Sequence, residues 1–285
     1  MAKCGALIDL QPLMANSGNS KVDAQLLDVF DKAVNALSPT ELSAEATAGE
    51  LDRLYPASTD DVENYLWSMW TLLERVAKKI PAPDPRQQLL VGIIRKLQAM
   101  ERETVKLWGN DSKVWSELPM LGPTMREAWN VELTSCAHAA RPALDGTGQD
   151  ASAIAEWVSL NSFAARVLGG SLQSWENFAI WELRDSLEED PASSTARDAH
   201  LATASQWFIY AGKVLYDLSR NPTELDEASA RALTTGKLLD AKPGFSEERW
   251  KFWRQRLAEL VKETQSKELK ETVDKALDEI KSLEA

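Results

Sequence analysis

The chain has 285 residues, 44% hydrophobic and 27% charged, the balance of a globular protein with enough apolar surface for a sizeable core. Forty-four acids against 32 bases leave a net charge of −12. The positive footprint behind nucleic-acid affinity is therefore missing, and no run of about 18 apolar residues predicts a membrane span.

In chain order, residues 1–20 read as a flexible arm. "MAKCGALIDLQPLM" is broken by Asp9, Gln11 and Pro12, so it lacks the continuous apolar stretch of a secretory leader. Start signals then follow. Ser38-Pro39-Thr40-Glu41, Asp84-Pro85-Arg86-Gln87 and Asn221-Pro222-Thr223-Glu224 each place a capping side chain, a proline and a Glu or Gln where a helix begins. Asp60 with Glu63 reads the same way, and "RVLGG" ending at Gly170 supplies a glycine stop. Apolar residues recur at spacings of three and four, as in Leu66, Met69, Leu73, Ala77 and Ile80, or Leu201, Ala204, Phe208, Ala211 and Leu215.

These signals predict helices over 22–37, 39–54, 61–80, 85–108, 151–169, 174–189, 196–220, 222–235, 247–263 and 267–284. No alternating stretch predicts a strand. The expected fold is all-α, a single multi-helix domain of about ten helices in an irregular bundle with a Trp-rich core. Its body spans 21–263, followed by an amphipathic helix over 264–285 that carries Leu269, Val273, Leu277, Ile280 and Leu283. "RPALDGTGQDAS" reads as a plain loop.

One loop stands apart. "LWGNDSKVWSELPMLGPTMREAW", from Leu107 to Trp129, is punctuated by Gly109, Asn110, Pro119, Gly122 and Pro123, yet it carries three tryptophans with Leu118, Met120 and Leu121. A loop this apolar folds back onto helix ends as a buried plug, with Trp108 packed against Trp129 from a short turn over 123–130.

Eleven tryptophans mark the chain. Most fill gaps between helices; a sharper reading has Trp108, Trp115, Trp129 and Trp157 line an apolar pocket oriented by Asn161, an amide on the stripe of Ile154, Val158 and Ala165. The alternative for Asn161 is a bond to a tryptophan N–H or a loop carbonyl. Asp185, Glu182 and His138 are the acid or base candidates, because "SWENFAIWELRDSLEED" sets carboxylates beside aromatic residues and apolar walls raise a carboxyl pKa.

With two histidines and two cysteines, Cys4 and Cys136, no common zinc site and no disulfide framework is expected. No cofactor motif occurs. "DDVEN" at Asp60 to Asn64 has the acidic pattern of terpene-cyclase magnesium sites, but it starts a helix and no second such motif follows. No metal is expected, and the cysteine usage fits the cytoplasm.

The long stretch above, with "EWVSLNSFAARVLG", "FAIWELRDSLE", "ASQWFIYAGKVLY" and "GFSEERWKFW", resembles the fungal DUF3632 family of unknown function over about 60–256. The resemblance implies a fungal, intracellular, helical protein and carries over no activity. Whether the chain is an enzyme stays open. The expected function is a binding module for a hydrophobic small molecule or a partner helix. The alternatives are a cofactor-independent cyclase or isomerase acting on a hydrophobic metabolite, and an adaptor that docks through the 264–285 stripe.

Overall fold

The computed structural model describes residues 6–15, 21–36, 41–134 and 148–285. The fold is all-α with one small hairpin. Backbone contacts divide the chain into two compact units, Met1–Pro142 and Ala143–Ala285, where one domain was expected. The division falls in "RPALDGTGQDAS", a stretch too short to announce itself as a linker.

The first unit carries α1 (Gln11–Ala15), α2 (Lys21–Val34), α3 (Glu41–Leu54), α4 (Val62–Lys79), α5 (Arg86–Gln98), the hairpin β1 (Thr104–Leu107) and β2 (Asn110–Lys113), and α6 (Leu121–Thr134). Residues 6–15, expected as part of a loose arm, are tied down. Leu10 and Leu13 are buried, Ile8 N–H donates to Asn35 Oδ1 at 2.8 Å, and Arg86 donates to the Ala6 carbonyl at 3.0 Å.

α5 ends at Gln98 rather than at the expected 108. The next residues alternate instead: Val105 and Leu107 are buried while Thr104 and Lys106 are exposed. That two-residue period pairs β1 with β2 antiparallel, Val105 opposite Ser112 and Leu107 opposite Asn110. The turn is Trp108-Gly109, with φ of 50° and 84°. Two-residue hairpins favour such left-handed pairs, but Asn usually fills the first place.

The second unit carries α7 (Gly148–Gly169), α8 (Glu176–Leu187), α9 (Ser194–Arg220), α10 (Glu227–Ala232), α11 (Glu247–Leu260) and α12 (Lys267–Glu284). α9 is its spine, packed by α7, α8, α11 and α12. A Cβ on Gly169 would meet the Tyr210 carbonyl oxygen at 1.8 Å, so glycine permits the α7–α9 approach. The left-handed residue that closes α7 is Ser171, φ 55°, not the expected Gly170. Its N–H reaches the Leu168 carbonyl and the Leu172 N–H the Val167 carbonyl, which satisfies the helix end.

The Asp84 signal opens α5, where Asp84 Oδ1 accepts from the Arg86 N–H at 2.9 Å, but one residue of that signal and one of the Asn221 signal also turn back to the preceding helix. Gln87 Nε2 donates to the carbonyls of Ala77 and Ile80 at the end of α4, and Asn221 Nδ2 donates to Asp217 O at the end of α9. The helix expected from 222 consequently begins at Glu227, capped by Asp226. The Ser38 signal lies outside the described residues, as do Cys4 and Cys136. No helix among the described residues is long and apolar enough to cross a membrane.

Candidate functional site

In the first unit the apolar loop is buried, as its residues demand. Trp115, Leu118, Met120 and Leu121 are nearly inaccessible, and Trp70 Nε1 donates to the Pro119 carbonyl at 2.9 Å. Leu118 and Met120 sit at φ 49° and 70°. Side chains at such angles cost of order 1–3 kcal/mol and persist only where packing imposes them. Three of the four non-glycine residues at positive φ among the described residues lie between Trp108 and Met120.

Trp115 Nε1 donates to Asp52 Oδ1 at 2.6 Å, and Arg102 donates to the same carboxylate through Nε at 2.7 Å and a second nitrogen at 2.9 Å. Burial pushes the Asp52 carboxyl up, but the hydrogen bonds of Arg102 and Trp115 and the guanidinium charge outweigh it and hold it below the ordinary range. Tyr55, Tyr65 and Trp70 complete an edge-to-face cluster around Trp115.

Trp108 does not pack on Trp129. It stands at the hairpin tip, 58% exposed, with its ring 6.5 Å from that of Trp67 and inclined by 63°. Its Nε1 donates to Glu63 Oε1 at 3.0 Å. Glu63 and Trp67 lie four apart on α4 and so share a face. Asp60 and Asp61, both exposed, begin that helix. The result is an aromatic corner with the Glu63 carboxylate bonded into it, open to solvent.

Glu74 is buried on α4 and accepts from Thr124 Oγ1 of α6 at 2.8 Å. The same hydroxyl lies 3.2 Å from the Leu121 carbonyl. One hydroxyl hydrogen cannot serve both acceptors. Burial pushes Glu74 up to about 8, against the Thr124 bond and the nearby Lys78 and Arg75 charges.

In the second unit Asn161 is fully buried and both ends of its amide are engaged: Oδ1 accepts from Trp207 Nε1 at 2.8 Å and Nδ2 donates to the Trp157 carbonyl at 3.0 Å. It bridges α7 to α9. Trp157 is buried on α7 and Trp129 on α6. Of the five residues expected at one pocket, Trp108, Trp115 and Trp129 therefore belong to the first unit and Trp157 and Asn161 to the second.

Of the catalytic candidates, Glu182 is buried and accepts from Ser186 Oγ at 2.8 Å, while His200 Nδ1 lies 3.2 Å from that hydroxyl. The serine bridges acid and imidazole; in a hydrolytic triad the imidazole takes the middle place. Asp185 accepts from Arg184 Nε at 2.8 Å, an ion pair at the surface. His138 lies outside the described residues. Among those described, no group of three or more His, Cys, Asp or Glu side chains is arranged to hold a metal.

A fully buried ionic centre was not foreseen. Glu188 and Arg249 form a two-pronged ion pair with both side chains fully buried, and Trp253 Nε1 and Gly236 N–H complete the carboxylate's shell. Arg249 also donates to the carbonyls of Leu233, Gly244 and Thr234, fastening the 233–244 loop to α8 and α11.

The sequence model of DUF3632, described as a protein of unknown function, matches residues 70–257. The chain belongs to the DUF3632 family. That match takes in the hairpin, the plug, Asn161 and the Glu188–Arg249 centre; Glu63 and Trp67 precede it. No curated protein and no solved structure matches the chain.

Proposed function

We propose that this DUF3632 protein is a docking module whose Trp67–Trp108 corner takes a basic segment of a partner protein. The observation that carries the reading is Trp108: a large apolar ring held in solvent at the tip of a hairpin, on a backbone angle that disfavours it. Exposed tryptophan is the residue type that dominates binding hot spots, and strain retained at an exposed position points to use rather than packing. Glu63 at the corner, with the exposed Asp60 and Asp61 in the turn that precedes it, supplies the charge complement for lysine or arginine, whose cations also stack on indole faces. Two cysteines in 285 residues suit a reducing compartment and support a cytosolic setting.

The narrower reading, a hydrophobic ligand enclosed by Trp108, Trp115, Trp129, Trp157 and Asn161, has less support, because both ends of the Asn161 amide are taken and Trp108 stands in solvent. Docking through the 264–285 stripe has less still: Leu269, Val273 and Ile280 are buried within their own unit, where α12 packs on α9.

Trp108→Gly tests the proposal, since glycine suits φ 50° and the exposed ring contributes little to the core. The variant is expected to melt no lower than the parent. The parent's Trp67 and Trp108 indole resonances are expected to shift saturably with an arginine-rich amphipathic peptide and to ignore its glutamate counterpart, while Trp108→Gly loses that peptide's saturable binding. Equal response to both peptides, or unaltered binding by Trp108→Gly, overturns the reading.

A further inference from the structure

α9, α11 and α12 leave an open groove of about 240 Å³ lined by Tyr216, Arg220, Glu247, Trp250, Lys251 and Arg254, with Glu284 lying in it. Its base is aromatic. Trp250 is braced by Phe208 at 5.6 Å between ring centres, and its own ring lies 5.2 Å from that of Tyr216, which faces the groove half-buried.

The carboxylate of Glu284 is seated there by two donors, one to each oxygen. Trp250 Nε1 donates to Oε1 at 2.9 Å and Arg254 to Oε2. Glu247 meanwhile pairs with Arg220 at 3.1 Å and Lys251 at 3.5 Å, so those cations are held at the rim. Three cations face two carboxylates in the groove, and three face one once Glu284 leaves, in a chain whose net charge is −12. The spot is locally positive where the molecule as a whole repels anions.

Glu284 is also the part of α12 best placed to leave. Ile280 is the last fully buried residue of that helix; beyond it Leu283 is half-buried and Lys281 and Ser282 are exposed. The seat therefore depends on its own two hydrogen bonds and one partial apolar contact.

We propose that this groove is a binding site for a small carboxylic acid with a flat apolar body, and that Glu284 occupies it as an internal stand-in. The acid's two oxygens take the indole N–H and the guanidinium, as the Glu284 oxygens do, and its body lies along the Tyr216 ring. The volume is below the roughly 300 to 1,000 Å³ of drug-sized sites, which restricts the ligand to a small molecule. A bound acid must displace Glu284, so its apparent affinity is lowered by the fraction of molecules in which the groove is empty.

Phenylacetate is the probe and phenylacetamide its neutral control, read on the full chain by the Trp250 indole N–H resonance, which Trp250→Phe identifies. Glu284→Gln is expected to tighten phenylacetate binding tenfold or more relative to the parent, by removing the charged competitor. Arg254→Met in the same background is expected to abolish it, with the melting temperature of each variant recorded to establish that the fold persists. The proposal is overturned if folded Glu284→Gln gives no saturable shift up to about 10 mM phenylacetate, which sets a dissociation constant weaker than the millimolar range. It is equally overturned if phenylacetamide shifts the resonance as well as phenylacetate does.

Discussion

Both units hold a carboxylate between an arginine and a tryptophan N–H. In the first, Asp52 takes Arg102 and Trp115; in the second, Glu188 takes Arg249 and Trp253, with the indole contact at 2.6 Å in each. They differ in depth. The side chains of Asp52 and Arg102 are 25% and 31% exposed, those of Glu188 and Arg249 not at all. Water screens the first pair and offers each partner an alternative, whereas the second pair has no other solvent and needs every donor filled. The same groups thus form a surface clasp in one unit and an internal anchor in the other.

Removing the anchor should cost most. Arg249→Met leaves Glu188 buried without its cation and takes the Arg249 donor from the carbonyls of Gly244 and Thr234, while the Leu233 carbonyl keeps the Gly244 N–H. A loss of about 3–5 kcal/mol is expected in urea denaturation, the range for breaking a buried pair from one side. A loss under about 1 kcal/mol would erase the distinction between the two centres.

Glu74 sharpens the comparison, being a buried carboxyl with a hydroxyl where the other two have an arginine. Its folded pKa, about 8, lies above its ordinary value, so between those two values the folded state holds a proton that the unfolded chain has released. Its contribution to stability is accordingly greatest below the ordinary carboxylate range, falls as pH rises toward 8, and is level above that. Glu74→Gln, a neutral isostere whose amide oxygen can still accept from Thr124, should gain on the parent as pH rises, by about 3 kcal/mol at pH 7. Parallel stability curves for the two proteins from pH 5 to pH 8 would mean that Glu74 is ionised in the fold.

How much of this was readable in advance depended on the range of the interaction. Helices were legible because Leu201, Ala204, Phe208, Ala211 and Leu215 repeat within a few residues. The plug was legible because Trp115, Leu118, Met120 and Leu121 are too apolar for a surface loop. The hairpin was not: its alternation is two buried residues long, Val105 and Leu107, and its turn uses Trp-Gly where Asn-Gly is the usual signal. The Asp84 signal marked the start of α5 correctly, whereas Asn221 bonds backward to the helix before it and the next helix waits until Glu227, which a one-dimensional pattern cannot distinguish. Asn161 stood out as an amide on an apolar stripe. Pairings such as Trp67 with Trp108, Asp52 with Arg102 and Glu188 with Arg249 join residues tens of positions apart and left no local trace.

Asn161 tests whether a neutral acceptor can hold an indole N–H as the carboxylates do. Asn161→Leu strands the Trp207 N–H in the core, and the expected loss is about 1–3 kcal/mol, that of one unsatisfied buried donor. A neutral or stabilising outcome would mean that Trp207 finds another acceptor and that the α7–α9 bridge is dispensable.

The smallest effect belongs to the clasp. In Arg102→Met, Asp52 keeps the Trp115 N–H and gains water, while the guanidinium is lost from its place 4.8 Å from the Tyr55 ring centre. Exposed ion pairs and exposed cation–π contacts each contribute up to about 1 kcal/mol, so the expected loss is about 1 kcal/mol at low ionic strength. It should shrink as salt is added, because a pair in contact with water is screened. Acid sharpens the test. The folded pKa of Asp52 lies below its ordinary value, so its contribution is present above the ordinary carboxylate range and disappears as pH falls through the lower folded value. Without Arg102 that contribution shrinks, and the parent and variant curves should converge below that value, where both carry a neutral Asp52. A loss as large as that of Arg249→Met, unaffected by salt, would show that depth does not separate the two centres and that the first unit, too, is built around its arginine.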